Sequence, residues 1–269
     1  RSDTSSKDET TARLKLDIEL DNKTKAKVLL SQADMDDPAD IWTIDGSLNT
    51  LSDRPGMDSQ TPDTFGLNRI RENPYNLCQS LTSTTDTDVV FSYDADWGNT
   101  NSHAPYTYDY FSETLRARES LSQEFRFVSN DRYKTERLPF DWVVGFSYLK
   151  LNETNDRQDD GIYGDPNDPF SPYSSLVTSN SDYSSTNISV FGNIEYEFTG
   201  FTKLSLGLRM EDWSAKYFDS NDERFNPSDS MMGGKVSLTH ALDEDKNFFA
   251  NYAKGYKQGG FNIGLGLLD

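Results

Sequence analysis

Most of the residues able to do chemistry in this chain are carboxylates. Glu195 and Glu197 stand two apart, which places both side chains on one face of a strand. A glycosidase holds two carboxylates about 5–9 Å apart across the scissile bond, so the pair is a candidate acid–base couple. The plainer reading is a charged strand face with Arg209 among the balancing charges. Asp156-Arg157-Gln158-Asp159-Asp160-Gly161 has the Asp and Gly of a calcium loop but lacks the ligand spacing and closing Glu of an EF-hand, which leaves a solvated loop. His103 and His240 are isolated, so neither has a partner for a His-based metal site. His103 lies among Tyr106, Tyr108, Tyr110 and Phe111, aromatics that suit either contact with a hydrophobic or catecholate ligand or an interfacial girdle. Cys78 is the single cysteine, which excludes an internal disulfide framework and a Cys-based zinc site and makes it an inert wall or turn residue. Asn152 and Asn187 head glycosylation sequons. No Gly-rich loop precedes a helix, so no phosphate cradle is expected. The reading assigns no catalytic, cofactor-binding or metal-binding residue, and ligand contacts are expected from long loops without individual assignment.

The elements that would carry these groups are strands. In residues 186–198, Ile188, Val190, Ile194, Tyr196 and Phe198 share one parity, and Ser189, Asn193, Glu195 and Glu197 share the other. A strand sends alternate side chains to opposite faces, so one face is apolar and the other charged. After Thr199-Gly200-Phe201-Thr202 the pattern returns, with Leu204, Leu206, Leu208 and Met210 against Ser205, Gly207, Arg209 and Glu211. Two alternating runs around a tight turn make a hairpin. The same signature recurs over residues 11–30, 121–148 and 235–256, and less cleanly over 64–72 and 77–95. About ten strands in five hairpins are expected. Connections alternate in length: short near 21–24, 73–76, 130–138, 199–202 and 243–246, long near 34–62, 96–110, 152–183 and 218–230. Several polar loops of that length do not suit an ordinary compact domain. Strands of about ten residues, short turns at one end and long loops at the other suit an outer-membrane barrel.

The totals agree. Hydrophobic residues make up 34% with a mean hydropathy of −0.75, and no run reaches the roughly 20 apolar residues of a membrane helix. Aromatics reach 13%, a surplus that interfacial girdles would use. A net charge of −19 argues against nucleic acid as a partner.

Several stretches resemble TonB-dependent receptors. NFFANYAKGYKQGGFN at 247–262 is similar to the family strand ending in Lys-Gly-Tyr-Lys and Gly-Gly-Phe-Asn, here Lys254 to Lys257 and Gly259 to Asn262. LSQEFRFVSN at 121–130 and FDWVVGFSYLK at 140–150 resemble a second strand pair, and SVFGNIEYEFTGFTKLSLGLRME at 189–211 a third. WTIDGSLNTLSDRPGMDSQ and YDADWGN resemble loops of siderophore-type members. The resemblance covers most of residues 10–262. It implies an all-β, antiparallel up-and-down transmembrane β-barrel fragment, with residues 1–269 forming part of a plugged 22-stranded barrel. It further implies TonB-dependent uptake of a scarce ligand, an iron–siderophore complex or a similar small molecule, across the bacterial outer membrane. The plug, the TonB box through which the TonB complex would act, and the terminal strands are expected outside this chain. Lipid is expected against Leu204, Leu206 and Leu208, and the lumen against Arg209 and Glu211. The rival readings are a passive porin or channel, and a soluble secreted β-sandwich that binds or hydrolyses carbohydrate.

Overall fold

A computed structural model describes residues 6–39, 42–47, 49–130 and 140–259. They form one antiparallel sheet and no helix. The strands are β1 (Glu9–Asp21), β2 (Thr24–Pro38), β3 (Met57–Glu72), β4 (Asn76–Asp94), β5 (Thr107–Ser129), β6 (Phe140–Gly164), β7 (Tyr173–Thr199), β8 (Thr202–Asp219), β9 (Arg224–Phe225), β10 (Ser228–Ala241) and β11 (Asn247–Lys254). Spatial order follows chain order from β1 to β11, except that the two-residue β9 pairs only with β8. This is an up-and-down meander, and both β1 and β11 are edge strands of the sheet.

The alternating runs fall where expected, with Ile194 opposite Leu206 and Leu206 opposite Val236 in continuous register. The expected long loops are shorter than the sequence suggests. Residues 152–164 continue β6 and 173–183 continue β7, so their connection is only 165–172. β7 runs for 27 residues, about 90 Å at roughly 3.3 Å per residue. A tilted membrane strand needs only about 9–11 residues, so the upper half of the sheet stands clear of the bilayer. Alternation fades in these parts of β6 and β7 because most side chains on both of their faces are polar, while the backbone ladder continues. The turn expected near 130–138 falls largely outside the described residues.

β8 records this transition. Through its first half, Leu206, Leu208 and Met210 are exposed on one face while Ser205 and Glu211 are buried on the other. Beyond Met210 the exposed face carries Asp212, Ser214 and Lys216, and the opposite face buries Trp213, Ala215 and Tyr217. Trp213, Ala215 and Met231 form a small core with Tyr183 and Tyr256 packed on it. Apolar groups face outward where lipid would surround the sheet, and inward where water lies on both sides. On the outward face Leu14, Leu16, Ile18, Phe125, Val144, Phe146, Val190 and Val236 are likewise exposed, with no second sheet over them. An apolar expanse of that extent needs a hydrocarbon environment, which sets aside the sandwich reading for this chain.

Candidate functional site

Two groups of side chains are organised beyond what the ladder requires. The first lies on the polar face of β8. The Glu211 carboxylate is 7% exposed and collects donors from four residues. Asn187 Nδ2 donates at 2.6 Å, Gln258 Nε2 at 2.8 Å, Tyr256 OH at 3.0 Å and Arg209 at 2.8 Å. Arg209 lies over the Phe191 ring, 5.7 Å from its centroid. Gly233 leaves room for the Tyr256 ring, which a Cβ would approach to 2.9 Å. The segment after β11 therefore folds against β8 and β10, with Tyr256 and Gln258 pinned to Glu211. This gives the Lys254–Lys257 motif a local role that its sequence alone does not show. Gly260, Phe261 and Asn262 lie outside the described residues.

The second group is a loop platform at the opposite end of the strands from the short turns. The described residues of the segment 39–56, between β2 and β3, join residues 95–106, between β4 and β5. Ile44 N donates to the Trp97 carbonyl at 3.0 Å, Asp53 N to the Gly98 carbonyl at 3.2 Å, and Asn99 Nδ2 to the Leu51 carbonyl at 2.8 Å. The Asp53 carboxylate accepts from Thr100 N at 3.0 Å. Arg54 ties the platform to the sheet, donating to Asp160 at 2.7 Å and to Asp109 at 3.5 Å, with its guanidinium 4.5 Å from the Phe111 centroid. The two loops that resemble siderophore-type members are thus braced to each other.

At the centre of the platform, Asp94 Oδ1 accepts the amides of Asp96 and Trp97, both at 3.1 Å. Trp97 takes φ 59°, a left-handed conformation unfavourable for a bulky residue, and its ring stays exposed. Strain of this kind survives where the surrounding contacts over-determine it. Asp96 is buried, accepting Gly98 N and Tyr110 N, both at 2.9 Å. Burial, with the Asp94 and Asp53 carboxylates beside it, pushes the Asp96 carboxyl above the ordinary carboxylate range, against the lowering by the Tyr110 and Gly98 amides. Oxygens of Asp53, Asp96 and Asp109 lie within 4.8 Å of one another, so among the described residues these three could share a hard cation. The Arg54 contact to Asp109 already balances part of that charge.

The other candidates separate. Glu195 pairs with Lys203 rather than with Arg209, and Glu197 lies opposite Lys203 in register, so the pair is a charged lumen face. Asp156–Gly161 is not a loop but part of β6, where alternation splits its carboxylates between two faces. Arg157 there holds Asp159 at 2.9 Å. His103 packs on Tyr108 at 4.9 Å and Tyr108 on Tyr110 at 4.6 Å, while Phe111 turns to the other face beneath Arg54. His240 Nδ1 lies 2.8 Å from Thr202 Oγ1. Cys78 is a half-buried strand residue opposite Arg71 and Phe127. A shallow apolar groove lined by Trp142, Val190, Ile194, Leu206, Val236 and Tyr252 lies on the exposed apolar face and so belongs to lipid. The platform is not legible in the sequence because its hydrogen bonds join segments about 50 residues apart, as Asn99 and Leu51 are by 48.

Comparison with known proteins agrees with this architecture. Residues 28–266 match the TonB dependent receptor-like β-barrel family. The ferric yersiniabactin uptake receptor FyuA of Yersinia pestis superposes with a TM-score of 0.72 at 14% identity, over 96% of this chain and 39% of that one. The ferric citrate transporter FecA in its unliganded form gives 0.64 at 15% identity, over 92% and 36%. The ferric preacinetobactin receptor BauA of Acinetobacter baumannii gives 0.60 at 13% identity, over 91% and 39%. This chain therefore spans about two fifths of the solved chains it matches. No curated protein matches. Members of the matched family are outer-membrane transporters rather than enzymes. The single meander, its lipid-facing belt and this match together establish that the chain belongs to the TonB-dependent receptor β-barrel family.

Proposed function

We propose that this chain is barrel wall and loop platform of a receptor that takes up a scarce ligand, an iron–siderophore complex, across the outer membrane at the expense of the TonB complex. The observation that carries the reading is the platform. Its two loops are braced by backbone hydrogen bonds, and they hold Trp97 strained and exposed at the extracellular end. A passive channel has no need to display a strained aromatic on a rigid loop pair. The proteins of like fold named above, two receptors and a transporter named for ferric complexes, support the choice of ligand class. Trp42 and Tyr106 add exposed aromatic surface on the same two loops, suited to stacking on a planar or catecholate ligand.

The test is uptake of radiolabelled ferric siderophores by cells carrying the full-length receptor. Uptake should vanish when the TonB complex is disabled. Trp97→Ala should weaken ligand binding several-fold while heat-modifiability on gels shows an intact barrel. Uptake that persists without TonB would favour the passive channel, and unchanged growth of the deletion strain on every ferric chelate would refute the ligand class.

A further inference from the structure

The lipid-facing surface is not uniform around its periplasmic margin. Next to the short turns, the outward parity carries Phe127 on β5, Phe140 and Trp142 on β6, Tyr196 and Phe198 on β7, and Phe248 on β11. These are the aromatics that sit at the headgroup level of a membrane protein. Strands β1 to β4 have none there. β3 carries Arg69 and Arg71 instead, two apart on the same face as Phe65 and Leu67. Both arginines are exposed. Among the described residues neither takes part in an ion pair.

The neighbours leave these charges available. Register sets Arg69 opposite Ala26 and Ser80, and Arg71 opposite Thr24 and Cys78, all small residues. Ala26 and Thr24 are buried, although Leu14, Leu16, Ile18 and Leu20 on the same face of β1 are exposed. Long arginine stems lying across small partners produce this pattern, with the head groups carried toward the polar margin. The Asp21 carboxylate in the turn accepts the Lys23 amide at 2.8 Å and interacts with the charge of Arg71, with no ion pair between them.

We propose that Arg69 and Arg71 form a docking site for the phosphate of an anionic phospholipid in the periplasmic leaflet. The acyl chains of that lipid would lie along Leu67 and Phe65. A guanidinium presents paired N–H donors that fit a phosphate bidentately. Two of them at the foot of an apolar stripe match a headgroup with its chains attached, whereas a free anion has no use for the stripe. The site rests on the lipid-facing assignment alone and is independent of which ligand the receptor carries.

The experiment uses the full-length receptor in vesicles, with bimane on Cys78, the register partner of Arg71, and any other cysteine replaced. Brominated phosphatidylglycerol, diluted in phosphatidylcholine, should quench the probe at a lower mole fraction than brominated phosphatidylcholine does. Each arginine near an anionic surface contributes roughly fivefold, so Arg69→Gln with Arg71→Gln should remove a preference of about tenfold or more. Arg69→Lys with Arg71→Lys should keep part of it, and a gel shift on heating checks that each variant folds. Equal quenching by the two lipids in the native protein overturns the proposal. So does an unchanged preference in the double glutamine variant, or loss of the preference in millimolar inorganic phosphate, which would mark a site for the free anion.

Discussion

Placing a charge on the lipid-facing parity of β8 tests the membrane assignment quantitatively. Leu206 lies between Ile194 of β7 and Val236 of β10 and is 45% exposed. If that exposure is to lipid, Leu206→Arg puts a guanidinium near the middle of the hydrocarbon and costs about 2–4 kcal/mol. If it is to water, the same change at a half-exposed position costs no more than about 0.5 kcal/mol. Ser214→Arg supplies the control, since Ser214 shares the parity but stands above the belt beside exposed Asp212 and Lys216. The expected difference is about 3 kcal/mol, roughly a hundredfold in the folding equilibrium. Arginine placed in turn at residues 204, 206, 208, 210, 212 and 214 should trace a profile that peaks at 206–208 and falls to about 0–1 kcal/mol at its upper end. The measurement is reversible guanidinium unfolding of the full-length receptor in phospholipid vesicles, followed by tryptophan fluorescence. A flat profile within about 0.5 kcal/mol would refute the assignment of lipid to this face.

Three further outcomes follow from the two polar groups. Glu211→Ala leaves Asn187, Gln258 and Tyr256 without their acceptor and should cost about 1–3 kcal/mol; hydrogen exchange should rise over residues 255–259, and Glu211→Gln should do less. The Asp96 pKa is raised in the fold, so its contribution is favourable below the ordinary carboxylate range and is lost as pH rises through the folded pKa. Proteolysis within residues 39–56 and 95–106 should therefore quicken as pH rises above the ordinary carboxylate range, and Asp53→Asn, which removes a neighbouring charge but keeps an acceptor for Thr100 N, should flatten that trend; a steeper trend in the variant would refute the role of Asp53. A Cβ at Gly56 would collide with the Ser92 carbonyl oxygen, which no side-chain rotation relieves, so Gly56→Ala should cost about 1–3 kcal/mol and weaken ligand binding through the platform, whereas Gly200→Ala, which meets nothing, should preserve both.

Much of this molecule is legible in its sequence, for a physical reason. Alternation at a period of two, as in Leu204 to Met210 against Ser205 to Glu211, follows directly from strand geometry. The two-faced environment then fixes which parity is apolar, so strand identity, hairpin order and the lipid face are local properties. That signal ends where the lipid ends. Residues 152–164 and 173–183 read as loop because water lies on both sides of them, yet ladder hydrogen bonds hold them as strand. The Arg209–Glu211–Tyr256–Gln258 contacts and the platform of residues 39–56 and 95–106 were out of reach for a different reason. They join groups distant in sequence, such as Gln258 with Glu211 and Arg54 with Asp160, and only the register of neighbouring strands brings those groups together. The sequence by itself determined the barrel wall and its family. The tertiary structure decided how far the wall rises above the membrane, which loops brace each other, and which buried carboxylates share their surroundings.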